Sequence, residues 1–319
     1  MFVAWKLGPA LAAGNAVVLK PSERAVLSTL EVVRDVDHVL PPGTVNLVTG
    51  TGETVGEAIT GHEDIGKVSV TGSVGTGKAA MRAVADTLTP ITLELGGKSP
   101  NVVFPDADLD AAVEGAIVGI FYNQGQQCVA GSRLLCHEAV VDEFLDRLLG
   151  RIDDLVVGDP LSPATDIGPQ IDSRHQESVL EYLDVARAEG ATVRRGGGVP
   201  DDETLEGAPF VEPTVLTDVA NDDTVASEEV FGPVLAVMTW EDREEMIATA
   251  NDTRYGLAAG VWTSDLEAAH ETAADLEAGT VWVNSYEDIV DPAPYGGWKE
   301  SGFGKELAAE ALEAYTRGK

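Results

Sequence analysis

One cysteine of this chain, Cys128, lies in Asn123-Gln124-Gly125-Gln126-Gln127-Cys128-Val129-Ala130-Gly131-Ser132-Arg133, a loop rich in amides and glycine that follows a strongly apolar run. A structural cysteine favours an apolar setting, whereas a nucleophilic thiolate needs access and polar groups that stabilise it. The second cysteine, Cys136, alternates within a strand-like run and reads as structural. Upstream, Glu94 stands between Leu93 and Leu95 and is backed by Gly96-Gly97. Burial between leucines would raise the pKa of a carboxyl group toward the range useful to a general base. A thiol nucleophile and a carboxylate base are therefore the first candidates for chemistry.

Both must be held by regular elements. The apolar runs Ala16–Leu19, Thr44–Val48 and Lys67–Val70 each end in a polar or glycine-rich turn and lead into a helical pattern, the third into Lys78–Leu88. Three strand–loop–helix units predict a parallel sheet covered by helices, with ligands bound beyond the C-terminal ends of the strands. Past Gly96, Asp106 or Asp108 can cap a helix whose apolar positions Leu109, Val113, Ala116, Ile117, Ile120 and Phe121 recur at helical spacing and deliver the chain into the Cys128 loop. Ser132–Cys136 reads as a strand and Val140–Leu155 as an amphipathic helix. Residues 158–170 and 196–213 read as loops. Strands at Pro233–Thr239 and Gly260–Thr263 precede helical patterns, and Gly279–Asn284 is a last apolar strand.

The 319 residues are enough for two domains and a sizeable core. Acidic residues number 54 against 21 basic ones, a formal charge of −33 spread along the surfaces rather than gathered in a tail. That balance argues against nucleic-acid binding, which needs basic patches. It fits a chain adapted to a salty cytosol, where salt screens the repulsion. No apolar run reaches membrane-spanning length, and no signal-peptide pattern opens the sequence. Two cysteines are too few for a disulfide scaffold and point to a reducing, cytoplasmic setting.

The Cys128 and Glu94 segments together resemble the nucleophile and general-base motifs of the aldehyde dehydrogenase superfamily. The resemblance continues through Trp5–Asn15, Val18–Glu23, Glu228–Pro233, Asn251–Leu257 and Gly296–Gly302, in the family's order along the whole chain. It implies an α/β, aldehyde dehydrogenase-like fold, with an incomplete Rossmann-type cofactor domain in residues 1–95, an α/β catalytic domain in 96–290, and a segment, 291–319, that returns toward the cofactor domain. It also implies a chain shortened at its start and slightly at its end. A Pro-Trp-Asn type motif whose asparagine helps to stabilise the oxyanion would fall just before Met1, and parts of an oligomerisation flap fall outside the chain.

By the same resemblance Cys128 attacks an aldehyde to form a thiohemiacetal, hydride passes to a nicotinamide cofactor, and the thioester left behind is hydrolysed by water that Glu94 activates. The backbone N–H of Cys128 would meet the oxyanion. Lys20 and Glu23 would bind the adenosine ribose; a carboxylate there favours NAD, with NADP possible, since it repels a 2′-phosphate. Thr71, Gly72 and Ser73 match the pyrophosphate turn, Gly52 the adenine side, and Glu229 and Phe231 the nicotinamide ribose and ring; Leu95 is also assigned to the cofactor. The partner is a small-molecule aldehyde, with neither nucleic acid nor membrane, and the family forms homo-oligomers. The alternative is a catalytically impaired remnant that at most binds or interacts. Ser285–Pro292 takes the position that shapes the aldehyde pocket, and its acids either favour a cationic aldehyde or share the global acidity.

Other chemistries fit less well. Gly72–Ala79 nearly forms the phosphate loop of nucleoside triphosphatases, but Ala79 stands where a Ser or Thr must hold magnesium. A cysteine hydrolase needs a histidine base, and none of the five histidines lies in a motif that points to Cys128. No metal site is expected from the spacing of cysteine and histidine.

Overall fold

The computed structural model describes residues 1–318, which form an α/β protein of two compact units. The first comprises Met1–Leu95, Ile289–Gly297 and Ser301–Lys319; the second comprises Gly96–Asp288 and Trp298–Glu300.

In the first unit Val17–Leu19 (β1) pairs in parallel with Val45–Leu47 (β2), and Val68–Thr71 (β3) pairs in parallel with Ile91–Glu94 (β4). The short strand Gly302–Phe303 adds antiparallel to the other side of β4. The parallel pairing expected from sequence is present, but as two ladders rather than one sheet. β1 and β2 are only three residues long and Val18 is 43% exposed, so neither carries the two-sided apolar run of a central parallel strand. The helix after β3 spans Val74–Ala85, starting four residues before the expected Lys78. Ser73 caps it by accepting the Thr76 N–H at 3.2 Å, which draws Gly75 and Gly77 into the helix and out of the loop. Leu95, 4% exposed, packs where a side chain at Gly77 would collide with it.

The second unit is built on Pro100–Val103 (β5), Arg133–His137 (β6), Thr192–Arg195 (β7), Thr214–Thr217 (β8), Val234–Trp240 (β9), Tyr255–Gly256 (β10), Ala258–Trp262 (β11) and Thr280–Val283 (β12). Seven of these form a sheet in the order β12-β11-β5-β6-β9-β8-β7, parallel except for the edge pair β7–β8; β10 pairs separately with Trp298–Lys299. Val102, Leu135, Leu216, Val234 and Val261 form a fully buried core across the sheet. The Leu109–Phe121 helix links β5 to β6, with Asp108 as its cap: the carboxylate accepts the N–H groups of Asp110 and Ala111. Asp106, the other candidate, instead binds the hydroxyls of Thr263 and Ser264 at 2.8 and 2.7 Å. Among the described residues no helix is long and apolar enough to cross a membrane.

Candidate active site

Cys128 belongs to the second unit and is partly exposed. The apolar helix that precedes it ends at Phe121, and the chain then turns through three successive left-handed residues, Asn123, Gln124 and Gly125, with φ of 48°, 58° and 71°. Gly125 is required twice over, since its φ is positive and a Cβ there would lie 2.2 Å from the Gly232 carbonyl. Non-glycine residues held in this region store strain and need surrounding structure to impose it. That structure is present: Asn123 Nδ2 donates to the Gln126 carbonyl at 2.9 Å, Gln127 Nε2 to the Tyr122 carbonyl at 2.9 Å, and Gly131 N–H back to the helix at the Gly119 carbonyl.

The Gly96-Gly97 pair has its reason here. A Cβ on Gly97 would lie 2.3 Å from the Cys128 carbonyl, and one on Gly96 would lie 2.0 Å from Glu229 Oε2. The two glycines thus let the backbone approach both the cysteine and the Glu229 carboxylate, whose Oε1 accepts the Gly97 N–H at 3.1 Å. Glu229 is held above its ordinary pKa by burial, against the Gly97 hydrogen bond and the charges of Lys98 and Arg254. Phe231 is 38% exposed and left-handed at φ 57°; its carbonyl meets His175 Nε2 at 2.7 Å. Cys128, Glu229 and Phe231 therefore belong to one unit.

Arg133, which closes the loop motif, is fully buried and staples it down. Its Nε donates to the Lys98 carbonyl, and its terminal nitrogens donate to Asn221 and to the carbonyls of Thr249 and Ala250. The latter two end the Arg243–Asn251 helix, where a cation is favourable. Cys136 is fully buried in β6 and burial pushes its thiol up to about 12. Iodoacetamide is accordingly expected to label Cys128 in the folded protein and to spare Cys136 until denaturant is added, as peptide mass mapping would register. Labelling of both at equal rates would remove the distinction.

Glu94 lies in the first unit, at the end of β4, opposite Thr71 on one side and Gly302 on the other. It is 5% exposed and both carboxyl oxygens are buried without a hydrogen-bond partner. Burial pushes its pKa up to about 8; the Glu306 carboxylate adds to the rise, and Lys6 and Lys305 oppose it. Sequence reasoning found Glu94 but missed this surrounding. Lys6 Nζ donates to Ser69 Oγ at 2.7 Å and forms an ion pair with the buried Glu306. The available signal was that Lys6 is the single charge in the otherwise apolar Phe2–Ala12 helix.

The remaining predicted residues also fall in the first unit. Lys20 Nζ bridges the carbonyls of Pro21 and Gly50 at 2.7 and 3.0 Å and stands 3.8 Å from the half-exposed Glu23. This places an ammonium and a carboxylate at the C-terminal ends of β1 and β2. Gly52 opens a π-helical turn just beyond β2, and Thr71, Gly72 and Ser73 are exposed at the start of the twelve-residue Val74–Ala85 helix. Unpaired N–H groups at such a helix start suit a pyrophosphate, and the ammonium–carboxylate pair of Lys20 and Glu23 suits ribose hydroxyls, so the residues present are of the kinds that a dinucleotide needs. Leu95 is buried, so its side chain is committed to packing. Among the described residues no group of His, Cys, Asp and Glu is arranged to hold a metal ion.

The model of the aldehyde dehydrogenase family matches residues 1–319. The betaine aldehyde dehydrogenase of Agrobacterium fabrum is 46% identical over 313 residues, covering 98% of this chain and 63% of that protein. Among solved structures, the betaine aldehyde dehydrogenase of Staphylococcus aureus in complex with NAD+ superposes with a TM-score of 0.96 at 43% identity, over 98% of this chain and 64% of that one. PnpE from Pseudomonas sp. WBC-3 gives 0.98 at 45% identity, over 99% and 65%. The chain thus spans just under two thirds of the length of these relatives. A model match along the whole sequence, together with the Cys128 loop and the buried Glu94, establishes that the chain belongs to the aldehyde dehydrogenase family.

Proposed function

We propose that the chain serves the oxidation of an aldehyde to a carboxylic acid, with Cys128 as nucleophile, Glu94 as general base and NAD+, or less readily NADP+, as acceptor. The observation that carries this reading is the strained, glycine-clamped loop that sets Cys128 against Gly97. Structure of that cost is retained where function needs it. The Cys128 thiolate adds to the aldehyde carbon, and the Cys128 backbone N–H is available to the oxyanion. Bound NAD+ supplies the hydride acceptor that takes the carbon to the acyl level. Glu94, ionised, then takes a proton from the water that hydrolyses the thioester. Lys20 and Glu23 would bind the adenosine ribose, Thr71, Gly72 and Ser73 the pyrophosphate, Gly52 the adenine side, and Glu229 and Phe231 the nicotinamide end; Leu95 is also read as cofactor-binding.

We read residues 1–95 as the cofactor-binding part, 96–290 as the catalytic part and 291–319 as the returning segment. The cytoplasm of a salt-adapted cell is the setting that the two thiols and the charge of −33 favour. The test is NADH formation at 340 nm with a panel of aldehydes in molar salt. Aldehyde-dependent NADH formation that iodoacetamide abolishes is the expected result. Formation that survives full alkylation of Cys128 would remove the assignment.

A further inference from the structure

Tyr286 follows the edge strand β12, and its ring lies in a slot that three glycines leave open. A Cβ on Gly119 of the Leu109–Phe121 helix, on Gly131 of the Cys128 loop or on Gly260 of β11 would come within 2.9, 3.0 or 2.7 Å of it. Trp282 packs on the ring with centroids 4.9 Å apart, and Tyr286 is 6% exposed. Packing of this kind asks only for a flat ring, which phenylalanine would supply. The hydroxyl is therefore the feature to explain. It donates to the Val129 carbonyl at 2.8 Å. Cys128 and Val129 are the central residues of a turn closed by the Ala130 N–H on the Gln127 carbonyl at 3.3 Å. Carbonyls at the apex of a turn usually face water. That of Val129, a residue 5% exposed, is turned into the protein and needs an internal donor, which Tyr286 provides. The preceding carbonyl, of Cys128, is packed against Gly97, where a Cβ would lie 2.3 Å away. Both carbonyls of the turn are thus held, while Cys128 itself stays partly exposed. Burial keeps the phenol far above its ordinary pKa, so it remains a donor at any pH at which turnover is measured.

We propose that the Tyr286 hydroxyl is a positioning group for the nucleophile: it holds the Cys128–Val129 turn in the conformation from which the thiolate meets an aldehyde carbon. The proposal rests on Cys128 being the nucleophile. In this role Tyr286 acts through the backbone rather than on the reacting atoms. A nucleophile displaced by about 1 Å loses roughly a hundredfold in rate, so one hydrogen bond that fixes its turn has kinetic weight. With phenylalanine at 286 the Val129 carbonyl would be buried without a donor, and the turn would gain by rotating it toward another partner or water. Reaction with a small alkylating agent is less exacting, since it needs an accessible thiolate and no fixed approach. The two reactions therefore separate the placement of the thiol from its mere presence.

Tyr286→Phe, which keeps the ring and deletes one oxygen, is compared with wild type and with Cys136→Ala, a core change that leaves the turn alone. Tm is measured first for all three. At saturating NAD+ and aldehyde the rate constant of the NADH burst is expected to fall about tenfold or more in Tyr286→Phe, while iodoacetamide alkylates Cys128 at a rate within about twofold of wild type. Cys136→Ala should change neither, whatever it does to Tm. Hydrogen–deuterium exchange, read without turnover, should rise over residues 127–131 in Tyr286→Phe and stay unchanged elsewhere. An unchanged burst in Tyr286→Phe overturns the positioning role while Cys128 stands. Burst and alkylation that fall together, in step with Tm, reduce Tyr286 to a structural residue and also overturn it. If wild type gives no burst, the reading of Cys128 is at fault. Exchange then decides the hold by itself, upheld by a rise confined to 127–131 and overturned by none.

Discussion

Replacing Cys128 with alanine is expected to lower aldehyde oxidation by about ten-thousandfold or more, the scale on which loss of a nucleophile is felt in enzymes that act through a covalent intermediate. The loop around it explains why no other group should compensate. Cys136 is sealed in β6, with its thiol pushed up to about 12, so it supplies almost no thiolate at neutral pH. The control is Cys136→Ala, which alters the core without touching the loop and should retain labelling and turnover. Intact-protein mass spectrometry during turnover should find an acyl adduct on the wild type and on Cys136→Ala and none on Cys128→Ala. NADH formation by Cys128→Ala at anything near the wild-type rate would end the covalent reading.

Glu94→Gln should act on a different step. Its carboxylate is proposed to activate the hydrolytic water, so the first turnover survives while steady-state turnover falls by about a hundred- to ten-thousandfold. The mark of this is a burst of NADH of about one per active thiol, followed by a slow phase; simultaneous loss of burst and steady state would assign Glu94 an earlier or purely structural role. With a pKa of about 8, the wild-type hydrolytic rate should rise with pH through that value as the base ionises, and Glu94→Gln should lose that limb.

Stability should move the other way. The folded pKa of Glu94 is raised above the ordinary value of 4.5, so between about 4.5 and 8 the folded state holds a proton that the unfolded state has released. Wild-type stability is then expected to fall as pH rises across this window, because ionised Glu94 is buried without a partner. Glutamine, always neutral, escapes that cost. Glu94→Gln should therefore gain stability over wild type as the pH approaches 8, on the order of a few kcal/mol, and little below pH 5. Urea unfolding at both ends of the range would measure it, and an equal difference at both ends would contradict the assigned ionisation.

Much of the second unit was legible because local signals agreed there. Leu109–Phe121 combined a helical apolar spacing with a capping aspartate, and only the choice between Asp106 and Asp108 had to await the partners of each carboxylate. The strand at Arg133–His137 was visible in its apolar run. By contrast, the Ser173–Glu189 helix and β7 lacked a clear pattern: seventeen helical residues bury only Val179, Leu183 and Ala186, and β7 is an edge strand exposed at three of four positions. The early start of the Val74–Ala85 helix was obscured by its glycines, which read as loop until Ser73 is seen to cap them.

The amino-acid sequence by itself pointed to the family and to the two candidate chemical groups, because a thiol in an amide-rich loop and a carboxylate before paired glycines are local, ordered patterns. Tertiary structure alone decided what those groups are like. The partnerless burial of Glu94 and the Lys6–Glu306 pair, whose two charges oppose and add to its shift, depend on residues far apart in the chain. Burial and electrostatic environment are properties of the folded neighbourhood, and no spacing along the sequence encodes them directly.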